Sequence, residues 1–161
     1  MKNQIREEFT LYPIGRVHRS DDEVVLEIDA PFRPALKDLE QFSHVMVLWW
    51  ADQFDNGEDR AKLFIHPPYA SDRAMGVFAT RSPFRPNPIA MTTCPIVTID
   101  ANEGRVTITG IDAVDDTPIV DLKAYFPICD RVRDARMPSW LEGWPEWMPE
   151  VGTRLQEKYK K

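Results

Sequence analysis

The stretch IVTIDANEGRVTITGI, residues 96–111, carries the clearest secondary-structure signal in this chain. Two β-branched runs, 96–99 and 106–111, flank a short polar link that contains Asn102 and Gly104. Asn and Gly adopt the backbone angles of tight turns at little cost, so the pattern predicts a β-hairpin. The strands on either side of the link are therefore expected to run antiparallel.

Short apolar and β-branched runs of the same kind recur along the rest of the chain. They cover residues 9–17, 24–28, 45–50, 63–65, 76–80 and 119–125. Helical patterns are scarce: one candidate follows Pro34, where Leu36, Leu39 and Phe42 fall at i, i+3 and i+6, and a second covers 152–160. Long helices between the strands, which a doubly wound parallel sheet needs, are missing. The sequence predicts a mainly β protein, a small antiparallel β-barrel with few short helices.

Length, charge and cysteine content limit the class of protein. The 161 residues are enough for one domain with its own core, and no apolar run approaches the ~20 residues of a membrane span. The first residues, MKNQIREEFT, lack the apolar stretch of a secretory signal, and Cys94 and Cys129 lie far apart. We therefore expect a cytoplasmic protein with no membrane partner. The formal charge of -6 argues against a generally basic surface, so a nucleic acid partner requires a local positive patch.

Several common catalytic and cofactor motifs are absent from the sequence. The seven glycines form neither a GxG nor a GxxxxGK pattern, which argues against a Rossmann dinucleotide site and against a P-loop. His18, His44 and His66 are widely separated and lie near no cysteine, so no metal site is predicted. No elbow motif supports a nucleophilic serine or cysteine, and a lone cysteine beside strand residues usually belongs to the core.

One segment with an unusual composition is TRSPFRPNP, residues 80–88, which we call the proline loop. Three of its residues precede a proline and are pushed toward extended backbone, so the loop is expected to be stiff. Stiffness lowers the entropy cost of holding side chains against a ligand. The candidate ligand-binding side chains are Arg81, Ser82, Arg85 and Asn87. The alternative is a rigid structural turn whose arginines are solvated or capped by carboxylates.

A second candidate segment is DAVDDTPIVDLKAY, residues 112–125. A polar turn, Asp115, Asp116 and Thr117, precedes Pro118 and a strand. Carboxylates at the entrance of a strand suit ribose hydroxyls or an amino group. The alternative is an Asp-rich turn that satisfies its own backbone.

Tryptophans cluster near the C-terminus, in MPSWLEGWPEWM, residues 137–148. Trp140, Trp144 and Trp147 have helical spacing, but Pro145 interrupts it. We interpret residues 136–161 as a Trp/Pro-rich extension that packs on the barrel or on a dimer partner. A base-stacking platform is the alternative.

The two candidate segments together resemble a known family. GVFATRSPFRPNPI, followed about thirty residues later by D-x-x-D-x-TP-x-x-D-x-K-x-Y, resembles the TsaA-like family, typified by tRNA methyltransferase O. The motifs YPIG at 12–15, Arg19-Ser20 and LEQFSHVMVLWW at 39–50 add to the resemblance, which covers residues 9–130. It implies a TsaA-like β-barrel domain at residues 1–135 that binds S-adenosyl-L-methionine without a Rossmann sheet. It further implies a homodimer with the ligand near the interface, and N6-methylation of threonylcarbamoyl-adenosine beside the anticodon of tRNA.

The resemblance also implies site residues. The family's cofactor contacts fall at Asp52, Gln53, Arg81, Ile89, Asp115, Asp116, Thr117 and Pro118, to which the proline loop adds Ser82, Arg85 and Asn87. Asp121, Lys123 or Tyr125 is expected to orient the methyl acceptor.

The chain departs from the family pattern at four of these motif positions. Asp52 replaces a frequent His, Ala90 and Asp116 each replace Gly, and Ala124 replaces Pro. Aspartate tolerates left-handed backbone geometry at some strain, so the turn at Asp116 is expected to survive. A longer segment bearing Pro, Arg and Gln, found in the bacterial enzymes, is missing between Ser20 and Val24. Two alternatives stay open: a methyltransferase acting on a small molecule or another RNA, and a non-catalytic S-adenosylmethionine-binding module.

Overall fold

Six antiparallel strands close into a barrel in the computed structural model, which describes residues 7–147. Around the barrel the order is β1-β2-β7-β6-β3-β8, and β8 pairs with β1 to close it. A separate two-stranded sheet is formed by β4 and β5. The strands are β1 Gly15–Arg19, β2 Val24–Ile28, β3 His44–Trp50, β4 Phe64–Ile65, β5 Met75–Gly76, β6 Ile89–Asp100, β7 Arg105–Ile108 and β8 Pro118–Ala124. The predicted fold class, a mainly β antiparallel barrel, is confirmed.

The barrel interior is filled by alternate residues of its strands, because successive side chains of a strand point to opposite faces. Val45 and Val47 of β3, Cys94 of β6 and Ile119 of β8 are fully buried in one hydrophobic cluster with residues of the other strands. The core is thus built mainly from β-branched side chains, which pack well on pleated surfaces.

The predicted hairpin is confirmed as β6–β7. Asp100 accepts hydrogen bonds from the backbone amides of Asn102 and Glu103, both at 3.1 Å, which forms an Asx turn. Gly104 has a φ of 73°, and a Cβ there would lie 2.4 Å from the carbonyl oxygen of Ile28. Glycine is required at this position by both the backbone angle and the close approach.

Several strand boundaries differ from the prediction. Residues 9–14 form no strand, and β6 is far longer than 96–99 because it begins directly after the proline loop, at Ile89. The strand predicted at 76–80 is wrong: β5 ends at Gly76, and Val77–Ala79 is a 3₁₀ turn. A short apolar run fits either structure, and here Val77 is buried by the turn while Phe78 is 83% exposed.

Helical structure is short. The α-helices are α1 Gly57–Arg60 and α2 Pro127–Asp130, and 3₁₀ turns cover Ala30–Leu36, Leu39–Gln41, Asp52–Phe54, Pro68–Ala70, Val77–Ala79 and Ser139–Leu141. The helix predicted after Pro34 is therefore a pair of 3₁₀ turns, whose three-residue period matches the i, i+3 spacing of the apolar residues. The helix predicted at 152–160 lies outside the described residues. None of the helices within residues 7–147 is long and apolar enough to cross a membrane.

The tryptophan-rich segment contacts the loop between β4 and β5. The ring of Trp140 stacks on Tyr69, with 6.3 Å between centroids, and the guanidinium of Arg73 lies over the Trp140 ring, 4.9 Å from its centroid. Trp144 meets Tyr69 edge to face. The division of the chain at residue 135 stays a prediction.

Candidate functional site

Three segments that carry predicted site residues meet at one end of the barrel. Trp50, the last residue of β3, pairs with Ile89, the first of β6, and Trp49 pairs with Ile119 near the start of β8. Because these strands are antiparallel, the end of β3 lies beside the beginnings of both neighbours. The turn after β3, the proline loop and the turn before β8 therefore converge, although they are far apart in sequence.

A small cavity of about 60 Å³ lies at this end. It is lined by Trp49, Ala51, Asp52, Gln53, Phe54, Asp112, Val114 and Thr117. Pockets that enclose a cofactor-sized ligand have volumes of roughly 300–1,000 Å³. One chain therefore surrounds only part of such a ligand.

The turn after β3 is attached to the proline loop. The backbone amide of Ala51 donates to the carbonyl of Pro88 at 2.8 Å, and the rings of Phe54 and Phe84 meet edge to face with 4.9 Å between centroids. Between these contacts, the 3₁₀ turn leaves the side chains of Asp52 and Gln53 exposed. The two polar groups are thus free to meet a ligand.

The turn before β8 is held by β1. Val17 donates its amide to the carbonyl of Thr117 at 3.0 Å and accepts from the amide of Asp116 at 2.7 Å. Asp116 has a φ of 63°, so it adopts the expected left-handed geometry where the family has glycine. Arg16 donates to the Asp116 carbonyl at 2.8 Å, which secures the turn, and Thr117 is only 2% exposed.

Arg19 organises the loop between β7 and β8. Its guanidinium donates to the carbonyls of Ile111 and Ala113 at 2.7 and 3.0 Å, and its backbone amide donates to Oδ1 of Asp115 at 2.8 Å. The Asp115 carboxylate is therefore partly engaged in holding its own turn, as the structural alternative for this segment supposes.

The two arginines of the proline loop have different surroundings. Arg85 donates through Nη2 to the carbonyls of Val77 and Thr80 at 2.8 and 2.9 Å, and its Nε is buried with no partner among the described residues. Arg81 is exposed and donates through Nη2 to the carbonyl of Met91 at 2.6 Å. Arg81 thus keeps donors for an anion, whereas Arg85 shapes the loop, capped by backbone carbonyls rather than by carboxylates.

Ser82 and Asn87 also hold the loop in shape. Ser82 Oγ accepts from the amide of Phe84 at 3.2 Å, and Asn87 Oδ1 accepts from Arg60 Nη2 at 3.3 Å. Ile89 follows directly, half-buried, and donates its amide to the Asn87 carbonyl at 2.7 Å.

Two of the residues predicted to orient the acceptor, Asp121 and Lys123, lie on the outside of β8, and Tyr125 directly follows the strand. Lys123 Nζ is 2.6 Å from Asp121 Oδ2, and this contact raises the pKa of the lysine. Tyr125 donates its amide to His44 at the start of β3, about 20 Å along that strand from Trp50. Lys123 and Tyr125 therefore lie away from the cavity of their own chain.

Neither Cys94 nor a cluster of metal ligands adds a reactive group to the candidate site. Burial raises the pKa of the Cys94 thiol to about 12, so this cysteine is part of the core. Within residues 7–147, no three His, Cys, Asp or Glu side chains are placed to hold a metal ion.

Sequence reasoning missed part of the lining. Trp49 lies in the run predicted as a strand at 45–50, which did not mark it as a ligand contact, and Phe54 and Val114 fall outside the predicted strands and were not among the predicted contacts. Arg60, which braces the proline loop, had no sequence signal, and Arg19 was identified only as part of the Arg19-Ser20 motif, with no bracing role.

Comparison with known proteins identifies the family of the chain. Residues 5–131 match the model of the tRNA-methyltransferase O N-terminal domain. A probable S-adenosyl-L-methionine-binding protein of Archaeoglobus fulgidus is 42% identical over 76% of this chain and 31% of its own length. RcsF of Pseudomonas aeruginosa, a putative S-adenosylmethionine-dependent methyltransferase, is 42% identical over 69% of this chain and 48% of its own length. The chain thus spans less than half of the length of these two relatives.

Solved structures agree with the sequence comparison. A crystal structure of TrmO superimposes with a TM-score of 0.64 at 30% identity, over 81% of this chain and 64% of that one. The resemblance to the TsaA-like family is confirmed. Since the family model matches well over half of its residues, the chain belongs to the tRNA-methyltransferase O N-terminal domain family.

Proposed function

We propose that this protein is an S-adenosyl-L-methionine-dependent methyltransferase that methylates N6 of threonylcarbamoyl-adenosine beside the anticodon of tRNA. The observation that carries the proposal is the convergence of the Asp52–Phe54 turn, the proline loop and the turn at 115–118 at one end of the barrel. These are the segments at which the family binds its cofactor, and relatives are named as S-adenosylmethionine-binding proteins and methyltransferases.

The side chains at this end suit the cofactor. Trp49, Phe54 and Val114 offer an apolar lining for a flat ring, and Asp52 and Gln53 offer polar groups for hydroxyl or amino groups. Arg81 keeps guanidinium donors that can bind a carboxylate. Asp115, Asp116 and Pro118 contribute mainly the shape of the turn that places Thr117 against the cavity.

The main task of the protein in this reaction is to position the cofactor and the acceptor. S-adenosylmethionine, when bound, supplies a methyl group that its sulfonium already activates. The protein must hold the acceptor nitrogen in line with that group at near-attack distance, which lowers the entropic part of the barrier. No dedicated base is needed, because the attacking nitrogen loses its proton once it has been alkylated.

A homodimer completes the site in this proposal. The cavity of one chain is too small for the cofactor, and the outer face of β3 and β6 next to it is apolar, with Met46, Leu48 and Met91. Asp121 and Lys123 lie beside it, on the outer face of β8. Packing of two copies through this face would bring them toward the site of the partner, where they would orient the acceptor.

The tRNA substrate implies a cytoplasmic protein and a positive surface on an acidic chain. Phosphate contacts supply much of the binding energy for RNA, so the affinity for tRNA should fall steeply as salt rises. An acceptor that is a small molecule would bind with little dependence on salt.

Incubation with labelled S-adenosylmethionine and total cellular RNA, followed by nucleoside mass spectrometry, tests the proposal. We expect label in N6-methyl-threonylcarbamoyl-adenosine. Label in another nucleoside or in no RNA, with cofactor binding intact, would reject this acceptor.

A second candidate is a non-catalytic binding module. It is favoured by the names of several relatives, which state binding alone. Transfer of label to any acceptor excludes it.

A further inference from the structure

Arg60 joins two of the three segments that meet at the candidate site, the turn after β3 and the proline loop. Its Nε donates to the carbonyl of Pro86 at 2.8 Å, and its Nη2 donates to Asn87 Oδ1 at 3.3 Å, both in the proline loop. Its Nη1 donates to Asp55 Oδ1 at 3.0 Å, directly after the turn that carries Asp52 and Gln53. One guanidinium therefore bonds to three groups on two segments.

Asp55, which accepts the hydrogen bond from Arg60 on the β3 side, is itself fixed to the barrel. Asp55 Oδ2 accepts a hydrogen bond from the indole Nε1 of Trp50 at 3.0 Å, and Trp50 is the last residue of β3. The chain of contacts thus runs from the end of β3 through Asp55 and Arg60 to the proline loop. Its two ends are rigid: one is a barrel strand and the other is a loop stiffened by prolines.

Arg60 is also placed by its own helix. It is the last residue of α1, whose first turn is capped by Asn56 through a hydrogen bond from the Asp59 amide at 3.0 Å. A four-residue helix is marginal alone, so the cap and the three guanidinium contacts fix the helix between the two segments.

An exposed ion pair alone contributes little to stability, and the Arg60 and Asp55 side chains are 43% and 32% exposed. Stability is therefore a poor explanation for this arrangement. The planar fork of arginine instead sets a fixed distance and angle between its acceptors, which the flexible ammonium of lysine cannot reproduce.

We infer that Arg60 is a positioning residue, which sets the separation between the Asp52–Gln53 turn and the proline loop and thereby the affinity for S-adenosylmethionine. The inference rests on the proposed function, because it takes the ligand to bind at the end of the barrel where these segments meet. Arg60 acts through Asp55, Pro86 and Asn87 and does not itself meet the ligand.

The test compares Arg60→Lys with Arg33→Lys. Arg33 is a matched control because it also donates to two carbonyls, of Ile28 and Asn102, but at the opposite end of β6 from Ile89. Titration of S-adenosylmethionine into each protein should show a dissociation constant raised about tenfold by Arg60→Lys, the equivalent of one charge-assisted hydrogen bond. Arg33→Lys should bind like the wild type, while both variants show similar shifts in Tm.

A double-mutant cycle and enzyme kinetics separate positioning from a general loss of structure. Asp55→Asn should weaken binding, and the double variant with Arg60→Lys should bind no more weakly than Arg60→Lys alone, because both changes break the same link. In the methylation assay, KM for S-adenosylmethionine should rise while kcat changes little. Equal affinities for wild type and Arg60→Lys, or equal weakening by Arg33→Lys, would overturn the inference. A wild-type protein that binds no S-adenosylmethionine would instead overturn the proposed function.

Discussion

The two halves of the barrel share an interior but differ on their outer faces. The outer faces of β1, β2 and β7 carry polar and charged side chains, some of them paired: His18 of β1 lies 2.9 Å from Glu27, and Arg105 of β7 lies 3.1 Å from Glu23. On β3 and β6 the outer positions hold Met46, Leu48, Trp50, Ile89 and Met91, with Met91 43% exposed. Inward-facing residues of both halves belong to one hydrophobic cluster.

The inward-facing residues explain how the barrel folds, whereas the outer faces differ in their relation to the candidate site. The interior residues close the barrel in the same way on both sides, since burial depends on area and packing rather than on position around the barrel. The outer face of β1, β2 and β7 carries ion pairs, whereas that of β3 and β6 lies beside the candidate site and exposes apolar area that the proposed homodimer would bury. We therefore expect substitutions on the two faces to differ in their effects on activity and assembly.

The largest expected effect is on activity. Arg81→Ala should lower kcat/KM for methylation by about 100-fold or more, because an anion would lose a charged partner worth about 3 kcal/mol. The fold should survive, since the arginine is exposed and makes one hydrogen bond, to the Met91 carbonyl. Arg105→Ala on the other half is the control and should keep full activity; full activity in Arg81→Ala as well would reject the assignment of Arg81.

The second largest effect is expected on the formation of the proposed homodimer. Leu48→Arg places a charge in the centre of the apolar outer face and should raise the dissociation constant of the dimer by about 30-fold or more, as expected for a central interface residue. Analytical ultracentrifugation over a concentration series measures this constant. Thr107→Arg, on the outer face of β7, should leave it unchanged, and a wild-type protein that stays monomeric would contradict the proposed homodimer.

A smaller effect is expected at the turn before β8. Asp116 has a φ of 63°, where a Cβ is unfavourable and glycine is not. Asp116→Ala should therefore lower the free energy of unfolding by about 1 kcal/mol relative to Asp116→Gly. Urea denaturation of the two variants measures the difference, and equal stabilities would show that the turn relaxes.

The smallest effect is expected for alkylation of Cys94, inside the barrel. Since burial raises the pKa of Cys94 to about 12, almost none of this thiol is ionised at about pH 8, and native protein should resist alkylation there. Reactivity should emerge only as the pH rises toward that pKa or as the protein unfolds. Cys129, which is exposed, is the internal standard and should react readily. Mass spectrometry of iodoacetamide-treated protein reports both sites, and rapid labelling of Cys94 would indicate that the barrel opens between β3 and β6.

Much of the fold was predictable from the sequence, because strand alternation and turn residues act locally. The β6–β7 hairpin follows from Asp100, Asn102 and Gly104, whose preferences do not depend on distant residues. The strand predicted at 76–80 failed because the length of an apolar run cannot distinguish a strand from a 3₁₀ turn that buries Val77.

The candidate site was harder to predict, because it depends on register. Asp52, Thr117 and the proline loop come together only through the pairing of β3 with β6 and β8. The motif identified the residues but not their roles: Arg85 resembles Arg81 in sequence, yet its guanidinium is occupied by the carbonyls of Val77 and Thr80. Arg60 carried no signal, since its acceptors are 5 and about 26 residues away in the chain.

The central claim, that the cofactor binds where the three segments converge, is tested most directly by a crystal structure with S-adenosylhomocysteine. We predict ligand density against the Asp52–Phe54 turn and Thr117, within hydrogen-bonding distance of Arg81, and beside the outer face of β3 and β6. Density on the outer face of β1, β2 and β7, or none at saturating ligand, would contradict the account.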